Sequence, residues 1–174
     1  MSSKSEKILL TGVPGCGKTT AVTQIVANLS SRKIAGFYTE EIRQNNVRKG
    51  FLWNRLDGSS GILAHIDIKS HLKASKYGVD VSGFEKSVVP ILDAERTDAE
   101  LFVIDEIGKM ECMSEKFVTA VRHLFTSDKS ILATVAQKGF GLISETKKFS
   151  GIKLFTLTGN NRDKIITDVT QLLL

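Results

Sequence analysis

Apolar residues follow two alternating rhythms along this chain. Short, nearly unbroken runs occur at 7–11 (KILLT), 34–39 (IAGFYT), 101–108 (LFVIDEIG), 130–135 (SILATV) and 153–158 (KLFTLT). Between them, apolar positions recur every three or four residues. Ala21, Val22, Ile25, Val26 and Leu29 form one such set, Met113, Phe117, Val118, Val121, Leu124 and Phe125 a second, and Ile165, Ile166, Val169, Leu172 and Leu173 a third. Unbroken runs of this length suit strands buried on both faces, and the wider spacing gives a helix one apolar face. The alternation predicts an α/β fold with a mostly parallel sheet covered by helices on both faces. Ser114 stands where the second of these helices needs a cap, and Asn160 or Asn161 where the last one does.

Two stretches depart from this rhythm. From 42 to 66, Asn-Asn and Asp-Gly turn signals separate short mixed runs, which predicts antiparallel hairpins inserted on the sheet edge. Over 84–95, Phe84, Val88, Val89 and Leu92 share a helical face, and Pro90, lacking an amide hydrogen, predicts a kink or a restart there. With 174 residues, 41% hydrophobic and 25% charged, the chain is sized for one globular domain spanning 1–174.

Candidate chemistry begins with the stretch GVPGCGKTT, which fits G-x-x-x-x-G-K-[ST] between the first strand and the first helix. Gly12, Gly15 and Gly17 let successive backbone N–H groups turn toward a phosphate, and the helix beginning near Lys18 adds its positive N-terminal end. Lys18 can reach β- and γ-phosphates, and the Thr19 hydroxyl can ligate Mg²⁺. Asp105 ends a buried apolar strand, where open α/β sheets place their ligands, and is the second candidate for Mg²⁺. Glu106 beside it has the character of a base that aligns and deprotonates an attacking water. Thr134, near the end of another strand, is either a γ-phosphate contact or a satisfied strand hydroxyl. Arg162, at the start of the last helix, is either a surface residue or a stabiliser of charge on a transferred phosphoryl group. Lys109 reads as a partner in a surface ion pair with Glu106 or Glu111, and Trp53 and Phe51 read as packing residues of the hairpin.

Composition narrows the partners. A net charge of +5 suits polyanionic ligands such as nucleoside triphosphates, but the basic residues form no run of five and do not interleave with aromatics. A nucleic-acid partner therefore stays open but disfavoured. No apolar run reaches the ~18 to 20 residues of a membrane span, and the polar N-terminus leads straight into a strand. An intracellular, cytoplasmic protein with no membrane contact, present as a monomer, is the expectation. Cys16, Cys112, His65, His71 and His123 lack metal-site spacing, and both cysteines read as reduced thiols.

The strings GVPGCGKTT, GFYTEEIR, KYGVDVSGFE, VIDEIGKMECMSEKF and NNRDK, in this order, resemble the small P-loop nucleoside-triphosphatases that include the human cancer-related enzyme and its thermophile relatives. The resemblance spans about residues 7–165. It implies Mg²⁺-dependent hydrolysis of nucleoside 5′-triphosphates, ATP and GTP among others, to diphosphate and phosphate with broad base tolerance. It implies nucleotide contacts at Gly12, Val13, Pro14, Gly15, Cys16, Gly17, Lys18 and Thr19, and at Leu101, Phe102, Val103, Ile104, Asp105, Glu106, Ile107 and Gly108. It also implies that GFYTEE belongs to the rim of the active site. The chain departs from the family after the Thr134 strand, where TVAQKGFG lacks the usual proline. Two other functions fit the phosphate loop: a small-molecule or nucleoside kinase, and a nucleotide-dependent module that binds RNA or protein. The kinase reading needs an arginine-rich lid, whereas Arg43, Arg48 and Arg55 are scattered along the hairpin region.

Overall fold

The computed structural model describes residues 5–174; residues 1–4 of the polar N-terminal stretch lie outside the described residues. Nine strands form one sheet: β1 (Lys7–Thr11), β2 (Ile34–Gln44), β3 (Val47–Arg55), β4 (Ser60–His65), β5 (Lys73–Ala74), β6 (Tyr77–Val79), β7 (Leu101–Ile107), β8 (Ser130–Val135) and β9 (Ile152–Thr156). Their order is β5-β6-β4-β3-β2-β7-β8-β1-β9. From β2 through β7, β8 and β1 to β9 every pairing is parallel, and from β2 outward through β3, β4, β6 and β5 every pairing is antiparallel. The parallel core matches the expected architecture. The edge insertion is larger than the hairpins expected at 42–66, because β5 and β6 are too short to show an alternating pattern.

Among the described residues five α-helices complete the fold: α1 (Lys18–Asn28), α2 (Val81–Ser87), α3 (Glu115–Thr126), α4 (Leu142–Thr146) and α5 (Arg162–Leu173). The parallel strands send alternate side chains to opposite faces. Ile8, Leu10, Leu101, Val103 and Leu132 pack with Val22, Ile25, Ile165 and Val169 of α1 and α5. Leu9, Phe102, Ile104, Ile131 and Ala133 pack on the other side with Phe84, Phe117, Val121 and Leu124 of α2 and α3. Both faces are thus covered, which is why these strands read as unbroken apolar runs. Trp53 is buried in the second of these clusters, and Phe51 packs edge-on against Tyr77, so both are packing residues.

Local signals hold with small displacements. Asn45 and Asn46 both have positive φ in the β2–β3 turn, and the Ser114 hydroxyl caps α3 by accepting from the Phe117 N–H at 3.0 Å. Pro90 falls in a 3₁₀ turn over Val89–Leu92, a restart after α2. Met113 lies in a 3₁₀ turn just before α3 rather than on it, and Leu172 faces solvent. Asn161 precedes α5 without capping it, because its side chain accepts from the Thr158 N–H at 2.8 Å and donates to the Thr156 carbonyl at 2.9 Å. That residue braces the loop between β9 and α5.

Lys7 opens β1 with a buried amine whose charge is disfavoured, and burial holds its pKa below the ordinary lysine value. The amine donates to the carbonyls of Leu124 at 3.3 Å and Ser127 at 2.8 Å, and to that of Lys129. The Leu124 carbonyl also accepts from the Ser127 N–H and hydroxyl, whereas, among the described residues, those of Ser127 and Lys129 depend on Lys7. Lys7→Met is expected to leave those two unsatisfied and cost about 2 kcal/mol, seen as a fall in Tm of roughly 4–8 °C for a chain of this size. Differential scanning calorimetry of the two proteins checks this.

Candidate active site

The phosphate loop owes its shape to local backbone geometry. It leaves β1 at Thr11 and enters α1 at Lys18, with Gly17 in the left-handed region at φ 95°. That conformation is open to glycine at little cost and strained for other residues. Lys18 folds back over the loop and donates to the Gly12 carbonyl at 3.1 Å. The N-terminal amides of α1 and this ammonium therefore face the same space, as anion binding requires.

Asp105 arrives beside the loop at the C-terminal end of β7, the strand next to β8 in the sheet. Its two oxygens are divided between two hydroxyls. Thr19 donates to Oδ2 at 2.6 Å, and Thr134, at the end of β8, donates to Oδ1. The Thr39 backbone N–H also draws the pKa of this carboxylate down. Asp105 is 1% exposed, and burial outweighs these bonds in pushing its pKa above the ordinary range. Among the described residues no ion pair reaches it, and a buried carboxylate and a hydroxyl, both hard oxygen donors, lie together there. That donor set fits Mg²⁺.

Glu106 follows Asp105 across a cis peptide bond. Burial raises its pKa, and the neighbouring Asp105 charge raises it further, while Lys18 pulls it down. Arg162, the first residue of α5, reaches the loop from the other side, because α1 and α5 pack on the same face of the sheet. A Cβ built on Gly17 would lie 3.1 Å from Arg162 Nη1. The Arg162 Nε is buried and, among the described residues, has no hydrogen-bond partner.

The remaining sequence candidates separate. Leu101, Phe102, Val103 and Ile104 are fully buried core residues with no surface to offer a ligand, as is Ile107. Asp105 and Glu106 at the end of β7, and Gly108 just after it, are the part of this stretch nearest the loop. The GFYTEE stretch contributes the backbone of Thr39. Its Glu41 is bound to Arg43 and Arg48, and Glu40 receives the Asn54 amide at 3.4 Å. Lys109 is exposed and, among the described residues, joins no ion pair with either expected partner, Glu106 being partly buried and Glu111 buried. Cys112 is half-buried, and burial pushes its thiol up to about 12, which leaves it inert.

A cavity of about 400 Å³ opens beside the loop, lined by Gly12, Val13, Pro14, Gln137, Leu157 and Thr158 among others. Sequence reasoning missed its outer wall, since Gln137 and residues 156–159 belong to no motif. The segment after β8 is fixed by Lys147, whose ammonium donates to the carbonyls of Ala136 at 2.8 Å and Gln137 at 2.9 Å. A larger concavity of about 1200 Å³ beside α3 shares no lining residue with the loop.

A family model described as NTPase matches residues 7–170. The chain belongs to the NTPase family. Among curated relatives, the nucleoside-triphosphatase THEP1 of Thermotoga petrophila is 37% identical over 167 residues, covering 96% of this chain and 92% of the relative. The human cancer-related nucleoside-triphosphatase is 36% identical, covering 93% of each. The crystal structure of THEP1 from Aquifex aeolicus superposes with a TM-score of 0.87 at 38% identity, covering 96% of this chain and 98% of the other. The solution structure of the human NTPase gives 0.80 at 33% identity, covering 97% of each.

Proposed function

We propose that the chain catalyses Mg²⁺-dependent hydrolysis of nucleoside 5′-triphosphates to diphosphate and phosphate. The observation that carries this reading is Glu106 standing next to the Thr19–Asp105 pair, a second carboxylate placed to receive a proton from water. Its raised pKa brings it nearer the proton affinity such a base needs. Lys18 and Arg162 border the same loop and would meet charge developing on the γ-phosphoryl group. Thr19 and Asp105 would hold Mg²⁺, which when bound neutralises phosphate charge. The protein's own contribution is to orient the triphosphate on the loop amides and to hold water on the Glu106 side.

Broad base tolerance fits the cavity beside the loop. Its lining residues carry no charge, and only Gln137, the threonines and the backbone can hydrogen-bond a base. Affinity would then come mainly from the triphosphate. The kinase alternative loses its lid: Arg43 and Arg48 are engaged by Glu41, and Arg55 by Asp57 and the Ser87 carbonyl.

The test is phosphate release by purified protein with ATP, GTP, CTP or UTP and no added acceptor. Release with each nucleotide, lost on chelation of Mg²⁺ and restored by adding it back, is the expected result. Release that needs an added acceptor would overturn it.

A further inference from the structure

Two carboxyl groups converge on the bare Cα of Gly108, at the end of β7. A Cβ there would lie 2.8 Å from Glu106 Oε1 and 2.9 Å from Glu111 Oε2. The absence of a side chain at 108 therefore leaves a space that both acids line. Glu111 is 2% exposed and joins no ion pair among the described residues. The backbone N–H groups of Glu111 itself and of Gly108 partly offset the burial of its carboxyl by drawing its pKa down. Hydrolysis as set out above assigns it no part.

We propose that Glu111 is a positioning residue for hydrolysis, fixing the Glu106 carboxylate across the face of Gly108. This rests on the reading of Glu106 as the base. Burial, and then the charge of Glu106, push the Glu111 carboxyl up to about 8, so near neutral pH it is mainly protonated and has an O–H to donate. Donation to one oxygen of Glu106 leaves the other turned to the attacking water. In the reaction a water O–H bond breaks and a Glu106 O–H bond forms. The hydroxide oxygen bonds the γ-phosphorus, and the bond from that phosphorus to the diphosphate oxygen breaks. Glu111 keeps its proton throughout.

The experiment compares Glu111→Gln, Glu111→Met and Gly108→Ala with wild type, measuring kcat and KM for ATP and the Kd of ADP by calorimetry. Glutamine keeps a donor of the same length, whereas methionine fills the same space without one. Glu111→Met is expected to lower kcat about tenfold, the scale for a group that orients a functional side chain, with KM and the ADP Kd unchanged. Glu111→Gln is expected to stay within about threefold of wild type, because the amide preserves the hydrogen bond. Gly108→Ala, whose methyl would press on both carboxyls, should also lower kcat while ADP still binds. Wild-type kcat in Glu111→Met, an equal loss in Glu111→Gln, or ADP binding lost together with kcat would each overturn the proposal. A wild-type protein that releases no phosphate overturns the hydrolysis reading itself, whereas an active wild type with an equally active Glu111→Met overturns this inference alone.

Discussion

Glu106→Gln is expected to bind nucleotide as the wild type does and to release phosphate roughly 100-fold more slowly or worse, the scale of lost general-base catalysis. The amide keeps the length and shape of the side chain, so the loop, the Thr19–Asp105 pair and the Lys18 contact should stand undisturbed. What it removes is the ability to take a proton. The loss should therefore appear in kcat, with ADP affinity and Tm near wild type. Single-turnover phosphate release measured beside calorimetric binding separates these quantities. A variant that turns over at the wild-type rate would mean that water is activated by another group.

Arg162→Ala is expected to lower kcat by about 10³-fold, the lower end for an arginine that meets transition-state charge in phosphoryl transfer. Its guanidinium lies against Gly17, and its Nε is buried without a hydrogen-bond partner among the described residues, Asp163 Oδ1 being 3.8 Å away. A buried donor left unbonded costs the fold free energy unless a ligand completes it. Arg162→Lys should recover only part of the rate, since an ammonium cannot reproduce the planar fork. Equal kcat in wild type and Arg162→Ala, measured at saturating nucleotide, would remove Arg162 from the reaction.

Much of this was legible in the sequence because burial on both faces leaves an unmistakable pattern. β1, β7 and β8 are nearly unbroken apolar runs with polar residues only near their ends, and α1 and α3 show one apolar face. Strand β2 was only half legible: its second half, through Glu40, Glu41 and Arg43, is polar and is held by cross-strand pairing with β3. Residues 73–79 and α4 gave no period, being shorter than two repeats of any pattern. At the site, Lys18, Thr19, Asp105 and Glu106 were visible as motif positions. Arg162 stood open between two readings until the packing of α5 on α1 brought it to the loop. Glu111 was misread because a charged residue is ordinarily exposed. Its flanking Met110, Cys112 and Met113 were the available sign of an apolar setting.

The contact between Gly17 and Arg162 also bears on how such a chain can change. The glycine is required twice, once by its backbone conformation and once because a methyl would crowd the guanidinium. Two positions far apart in sequence thus behave as a single unit of inheritance. On the proposed role of Arg162, a substitution that displaces it would leave the loop able to hold a triphosphate and less able to break it, so enzymatic decay in this lineage would pass through tight, silent nucleotide binders.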